Sequence, residues 1–201
     1  MRKALWETMV VPPRPANRRP PGNAVTRLSL FGKVNVDSTV DLGRAIRAAR
    51  QNTILLEIDS DGGSGILGAA ILEELLMHPR RVITHVVDRG NSAAAIVAMG
   101  GDRRRISPHA TILMHKSRGE SEAACRRMDE VSLEVFAAAT GRERCVIDAW
   151  ESAELVFTAQ EAVEVGLAHE ICNPRRTADV PGAGSERRSH QVAPLAPSGA
   201  M

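Results

Sequence analysis

Between residues 25 and 172 the chain alternates short apolar runs with amphipathic stretches. Residues 28–34, 54–58, 82–87 and 111–114 are aliphatic and β-branched runs of strand length. Residues 38–50 place Val40, Ala45, Ile46 and Ala49 on one helical face, with Ser38 available as a cap. The stretch after Gly63 carries Ile66, Leu67, Ala70, Ile71 and Leu75 and stops before Pro79. A helix of small residues is predicted over 92–99. A longer one over 120–139 has Met128, Val131, Val135 and Phe136 as its apolar stripe. Strands that alternate with helices imply an α/β domain of parallel strands joined by right-handed crossovers.

The two ends lack this periodicity. Residues 1–24 carry Pro12, Pro13, Pro15, Pro20, Pro21 and Gly22 among arginines, the composition of a flexible arm. Residues 173–201 are rich in Pro, Gly, Ser and Arg and read as a disordered tail. The folded unit is therefore 25–172, one domain.

Composition removes several function classes. A net charge of +2 gives no general pull on nucleic acid, and the aromatic share of 2% offers no stacking platform for single strands. Arg103, Arg104 and Arg105 form a tight basic run, expected to be a solvated loop. Cys125, Cys145 and Cys172 are scattered and show no metal-ligand spacing, which fits a reduced cytoplasmic protein with no disulfide and no metal. No apolar run approaches a membrane span, and the short start with Glu7 does not read as a signal peptide.

Four places carry candidate chemistry. Asp59-Ser60-Asp61-Gly62-Gly63-Ser64-Gly65 joins a strand end to a helix start, where glycines allow close backbone approach and free N–H groups can hold an anion. Ser92 follows a strand and opens the small-residue helix, a position that exposes Oγ beside the free N–H of the next residue. His115 ends the strand 111–114. Glu154 precedes Thr158 and Glu161, which form a capping box, and Gly166 ends that helix. Taken singly these have ordinary readings: a tight turn, an N-cap, an edge histidine and a solvated acid.

Taken in order, these residues resemble the proteolytic subunit of the ATP-dependent Clp protease (ClpP), especially its short phage- and prophage-like members. Asp59-Ser60-Asp61-Gly62-Gly63-Ser64 is similar to that family's SPGGS turn, with Asp61 where proline is usual. Asp88-Arg89-Gly90-Asn91 stands where the family has a small-residue GxAA before its nucleophile. Thr140-Gly141-Arg142 and the unit from Thr158 to Leu167 also match.

The resemblance implies a crotonase-like ClpP fold of repeated ββα units with a shortened helical handle. It implies a serine endopeptidase with Ser92 as nucleophile, His115 as base and Glu154 as the acid that orients it. The N–H groups of Gly63 and Ala93 would form the oxyanion hole, and no metal or cofactor is required. The implied substrate is a peptide or unfolded protein, and the implied partners are an ATP-dependent unfoldase and further copies of the chain. The segment from His115 to Thr140 is short, and residues 116–121 lack strand alternation, so contact between rings is expected to be weak or built differently. The stripe on 120–139 must be covered, which also suggests a homo-oligomer.

Three rivals stand beside this reading. A crotonase-type acyl-CoA enzyme would use the same oxyanion amides without a Ser–His pair. A Ser–Lys peptidase is disfavoured because Lys3, Lys33 and Lys116 are the lysines of the chain and none lies beyond the histidine strand. A catalytically inactive ClpP-like assembly subunit would keep the fold alone.

Overall fold

A computed structural model describes residues 20–119 and 121–173. The elements run β1 (Val25–Val34), α1 (Val36–Ala48), β2 (Thr53–Gly63), α2 (Gly65–Leu76), β3 (Val82–Gly90) and α3 (Ala93–Ala98). They continue with β4 (Arg103–Ile106), β5 (Ile112–Leu113), α4 (Glu122–Thr140), α5 (Arg144–Ser152), β6 (Val156–Phe157), α6 (Ala159–Glu164) and β7 (Glu170–Ile171). Five strands form one sheet in the order β1-β2-β3-β4-β7, all parallel, as the alternation predicts. β5 and β6 form a separate antiparallel pair.

The core lies between this sheet and its helices. Leu30, Ile54, Leu56, Ile58, Leu75, Val82 and Ile106 are buried in it. β2 is longer than its apolar run predicts. After an irregularity between Phe31 and Lys33, the register resumes with Lys33 opposite Gly62 and Val34 opposite Gly63. β3 likewise continues to Gly90, with Ser60 opposite Gly90. These extensions bring the glycine turn and the segment before Ser92 side by side at the carboxyl ends of parallel strands, where open α/β sheets place their sites.

α1 starts earlier than predicted. Asn35 is its cap, and Ser38 is the third residue of a capping box: Asn35 Oδ1 accepts from Ser38 N (2.9 Å), and Asn35 N donates to Ser38 Oγ (3.0 Å).

The basic run is the main correction. Arg103–Ile106 is strand β4, not a loop, and Arg104 is 2% exposed. Its Nε donates to Leu167 O and its Nη2 to Ala139 O and Gly166 O, each at 2.9 Å. A buried cation is tolerated because carbonyl oxygens near the ends of α4 and α6 replace water. Arg103 and Arg105 both pair with Glu170 on β7. α5 was not anticipated.

Residues 20–24, assigned to the arm, are bonded to the sheet region. Pro20 O accepts from Arg81 N (3.0 Å), Gly22 N donates to Thr53 Oγ1 (2.9 Å), and Ala24 O accepts from Thr53 N (2.7 Å). The remainder of the arm and the tail from 174 lie outside the described residues. Met128, Val131, Val135 and Phe136 of α4 are buried within the chain itself. That stripe therefore needs no second copy to cover it, and the ground it offered for an oligomer is gone.

Candidate active site

Ser92 stands between the end of β3 and the start of α3. Its backbone has φ 55° and ψ −121°, and its side chain makes no capping hydrogen bond. Ser92 thus takes the N-cap position without its side chain capping the helix. A non-glycine residue held there carries strain of about 1–3 kcal/mol, which only well-anchored surroundings sustain. Those anchors are visible. Asn91 N donates to Ser60 O (3.0 Å), and Ser92 N donates to Leu113 O (2.8 Å). The serine is thus tied on one side to the glycine turn and on the other to the histidine strand. α3 itself is wholly buried, from Ala93 to Ala98.

The glycine turn is shaped to fit against this serine. Gly62 has φ +90°, and a Cβ there would lie 2.6 Å from Asn91 O and 2.8 Å from the Ser92 Cβ. Gly63 has φ +146°, and its Cβ would lie 2.4 Å from Val34 O. Neither position accepts a side chain without displacing backbone.

β5 delivers His115 through Met114, whose N donates to Leu155 O (2.9 Å). Gly63, Ser92, Ala93 and His115 line one cavity of about 590 Å³. The His115 Nδ1 lies 2.7 Å from Lys116 O. A carbonyl only accepts, so in this arrangement Nδ1 carries a proton, and in the neutral ring Nε2 is the nitrogen left with the lone pair. Glu154 is placed differently from the other four. It is outside the cavity lining, its backbone φ is 52°, and its carboxylate is held by Arg118. That hydrogen bond, with the Arg118 charge, holds the carboxyl below its ordinary range, and the charge of His115 adds a smaller pull in the same direction. The structure therefore brings Ser92, His115, Gly63 and Ala93 together. It sets Glu154 within electrostatic reach of the imidazole but bonded elsewhere.

The family model for Clp protease matches residues 41–175. This chain belongs to the Clp protease family. The ATP-dependent Clp protease proteolytic subunit 2 of Streptomyces avermitilis is 30% identical over 138 residues, covering 62% of this chain and 69% of that protein. The proteolytic subunit 1 of Protochlamydia amoebophila is 26% identical over 165 residues, covering 70% and 80%. A mutant of ClpP1 from Listeria monocytogenes superposes with a TM-score of 0.69 at 19% identity, covering 74% of this chain and 92% of its own, so the ClpP fold is shared.

Against the Clp protease pattern, two departures in the sequence prove to be partners. Arg89 Nη1 lies 2.7 Å from Asp61 Oδ2, and its Nε lies 3.1 Å from Asp59 Oδ1. Asn91 Nδ2 also donates to Asp61 Oδ1 (3.2 Å), while Asn91 Oδ1 accepts from Leu113 N (3.2 Å). The aspartate in the usual proline position and the arginine in the usual small-residue position thus pin the same turn together. The Asp59 hydrogen bond and charge, then Asp61, raise the Arg89 pKa further.

Sequence reasoning missed the far wall of the cavity. Ser132 on α4 and Glu151 on α5 line it, and Glu151 is 1% exposed. Burial pushes the Glu151 carboxyl up, against the opposing pull of Ser132 and Lys116. The Asp148/Glu151 spacing of three residues marks one helix face, but nothing in the sequence says that Lys116 meets it. Among the described residues no cluster of His, Cys, Asp and Glu could hold a metal, and no helix is long and apolar enough to cross a membrane.

Proposed function

We propose that this chain is a ClpP-type serine endopeptidase. The observation that carries the reading is Ser92, held at positive φ on a strand-to-helix turn and sharing a cavity with His115. In this mechanism Ser92 Oγ attacks a peptide carbonyl carbon while His115 Nε2 takes its proton. The carbon–nitrogen bond then breaks as the imidazolium returns that proton to the leaving amine. Water repeats the sequence in reverse and frees the acyl group from serine. The N–H groups of Gly63 and Ala93 receive the developing oxyanion, each donor contributing about 10²–10³ in rate. Glu154 contributes negative field that stabilises the imidazolium. The substrate is a peptide or unfolded protein, and no metal or cofactor enters any step. The relatives' names, as ATP-dependent proteolytic subunits, support an ATP-driven unfoldase partner and a homo-oligomer.

The test is a fluorophosphonate probe followed by peptide mapping, run beside hydrolysis of fluorogenic peptides. Labelling at Ser92 is expected, and Ser92→Ala is expected to remove both labelling and hydrolysis, a loss of roughly 10⁶ in kcat. A folded wild-type protein that neither labels nor cleaves would instead be the inactive assembly subunit.

A further inference from the structure

Glu151 has no part in the chemistry above, yet it is tied to the residue that follows His115. Ser132 Oγ donates to its Oε1, and Lys116 Nζ lies 3.3 Å from its Oε2 and 2.5 Å from Asp148 Oδ1. The next residue is fastened as well: Ser117 N donates to Asp129 Oδ1 on α4 (2.7 Å). Two successive residues after the histidine are thus anchored, one by its side chain to α5 and one by its backbone to α4.

Building on the Ser92–His115 reading, we propose that Lys116 is the positioning residue of the catalytic histidine. Its carbonyl accepts the Nδ1 proton and leaves Nε2 with the lone pair a general base needs. Its ammonium, held on Glu151 and Asp148, keeps that carbonyl in place. The Clp protease resemblance gives the orienting task to Glu154, and exposure decides between the two. Glu154 and Arg118 are 58% and 66% exposed, an ion pair in water that fixes little. Glu151 is 1% exposed and Lys116 32%, so the carboxylate end of this pair is out of water and Lys116 is the cation that compensates it. Removing Lys116 leaves the buried Glu151 carboxylate without its cation, so this anchor holds its geometry more firmly than the exposed pair does. Burial works against the Lys116 charge, but Asp148 and Glu151 outweigh it and keep the ammonium protonated.

The test uses the full chain, labelled with ¹⁵N-histidine, and reads the His115 imidazole tautomer by NMR alongside kcat and KM on a fluorogenic peptide. His115→Ala identifies the resonance. The wild type is expected as the Nδ1–H tautomer. Lys116→Met is expected to mix the tautomers and lower kcat about 10- to 100-fold with KM within about threefold, as loss of a histidine's outer partner does. Lys116→Arg is expected to restore much of both. Glu154→Gln should leave the tautomer unchanged. If Lys116→Met does not fold, Lys116→Met combined with Glu151→Gln removes both charges together and gives the same readout. The proposal is overturned if the folded Lys116 variant keeps the tautomer, or if Glu154→Gln alone shifts it. A wild type that fails to label at Ser92 counts against the peptidase reading, while the tautomer still decides the role of Lys116.

Discussion

Ser92 and Glu154 are the two non-glycine residues with positive φ among the described residues, and both lie in the segments that the Clp protease resemblance marks. Strain at such points persists when neighbours over-determine it. At Ser92 the neighbours are Leu113 O and the bare backbone of Gly62. The proposed serine and histidine were singled out in the sequence because Ser92 opens the small-residue helix and His115 ends an apolar strand. The anchor of Lys116 was not. Its partner Glu151 lies 35 residues away, and no local pattern joins them. Glu154 was singled out by its place before the capping box, but its bond to Arg118 depends on how the loop after His115 folds. These placements set an order of sensitivity. In the proposed mechanism His115→Ala removes the proton carrier, and Glu154→Gln removes only a partly solvated field. In peptide hydrolysis assays Glu154→Gln should retain at least about tenfold more kcat/KM than His115→Ala. Equal loss would count against the division of roles.

At the level of elements, long periodic stretches were read correctly and short charged ones were not. α1, α2 and α4 each show an apolar face over three turns or more, so their existence followed from spacing alone. β4 is four residues long and three are arginines, so hydropathy points to solvent. The strand exists because β3 and β7 flank it, and because Arg104 turns inward to three carbonyls while Arg103 and Arg105 meet Glu170. Replacing this guanidinium should be costly even with a side chain of similar volume. Arg104→Met strands buried acceptors that each cost about 1–3 kcal/mol when left unmet. Chemical denaturation should show a loss of at least about 3 kcal/mol, and a loss under 1 kcal/mol would mean that water takes over the carbonyls.

For the molecule as a whole, acidity and assembly are the properties to test. His85 is 3% exposed on β3, its Nε2 is 3.1 Å from Ser107 Oγ, and burial followed by the Arg105 charge lowers its pKa to about 4. Between that value and the ordinary 6.5 the unfolded chain binds the proton and the folded chain does not. Stability is therefore full above 6.5 and falls as the pH drops toward 4, by an amount on the order of a few kcal/mol. Glu170 extends the trend. Arg103, by its hydrogen bond, lowers its pKa to about 2, so its contribution is lost as the pH falls through that value. Thermal unfolding should show a falling midpoint between pH 6.5 and 4, and His85→Gln should flatten that part of the curve. The proposed homo-oligomer would have to use other surfaces than the α4 stripe. Phe31, Val36, Val40 and Met77 remain exposed. Light scattering at micromolar protein should give a mass several times that of one chain, and a monomer at every concentration would sink the homo-oligomer.

Arg104 also has a consequence in time. Its acceptors on Ala139, Gly166 and Leu167 lie 35, 62 and 63 residues further along the chain. A ribosome makes the arginine long before it makes any of them. Until nearly all of the domain has emerged, the nascent chain holds a cation destined for the interior before these three acceptors exist. β1, β2 and β3 have their mutual partners early, whereas the fourth strand gains this buried network only when the end of the domain arrives.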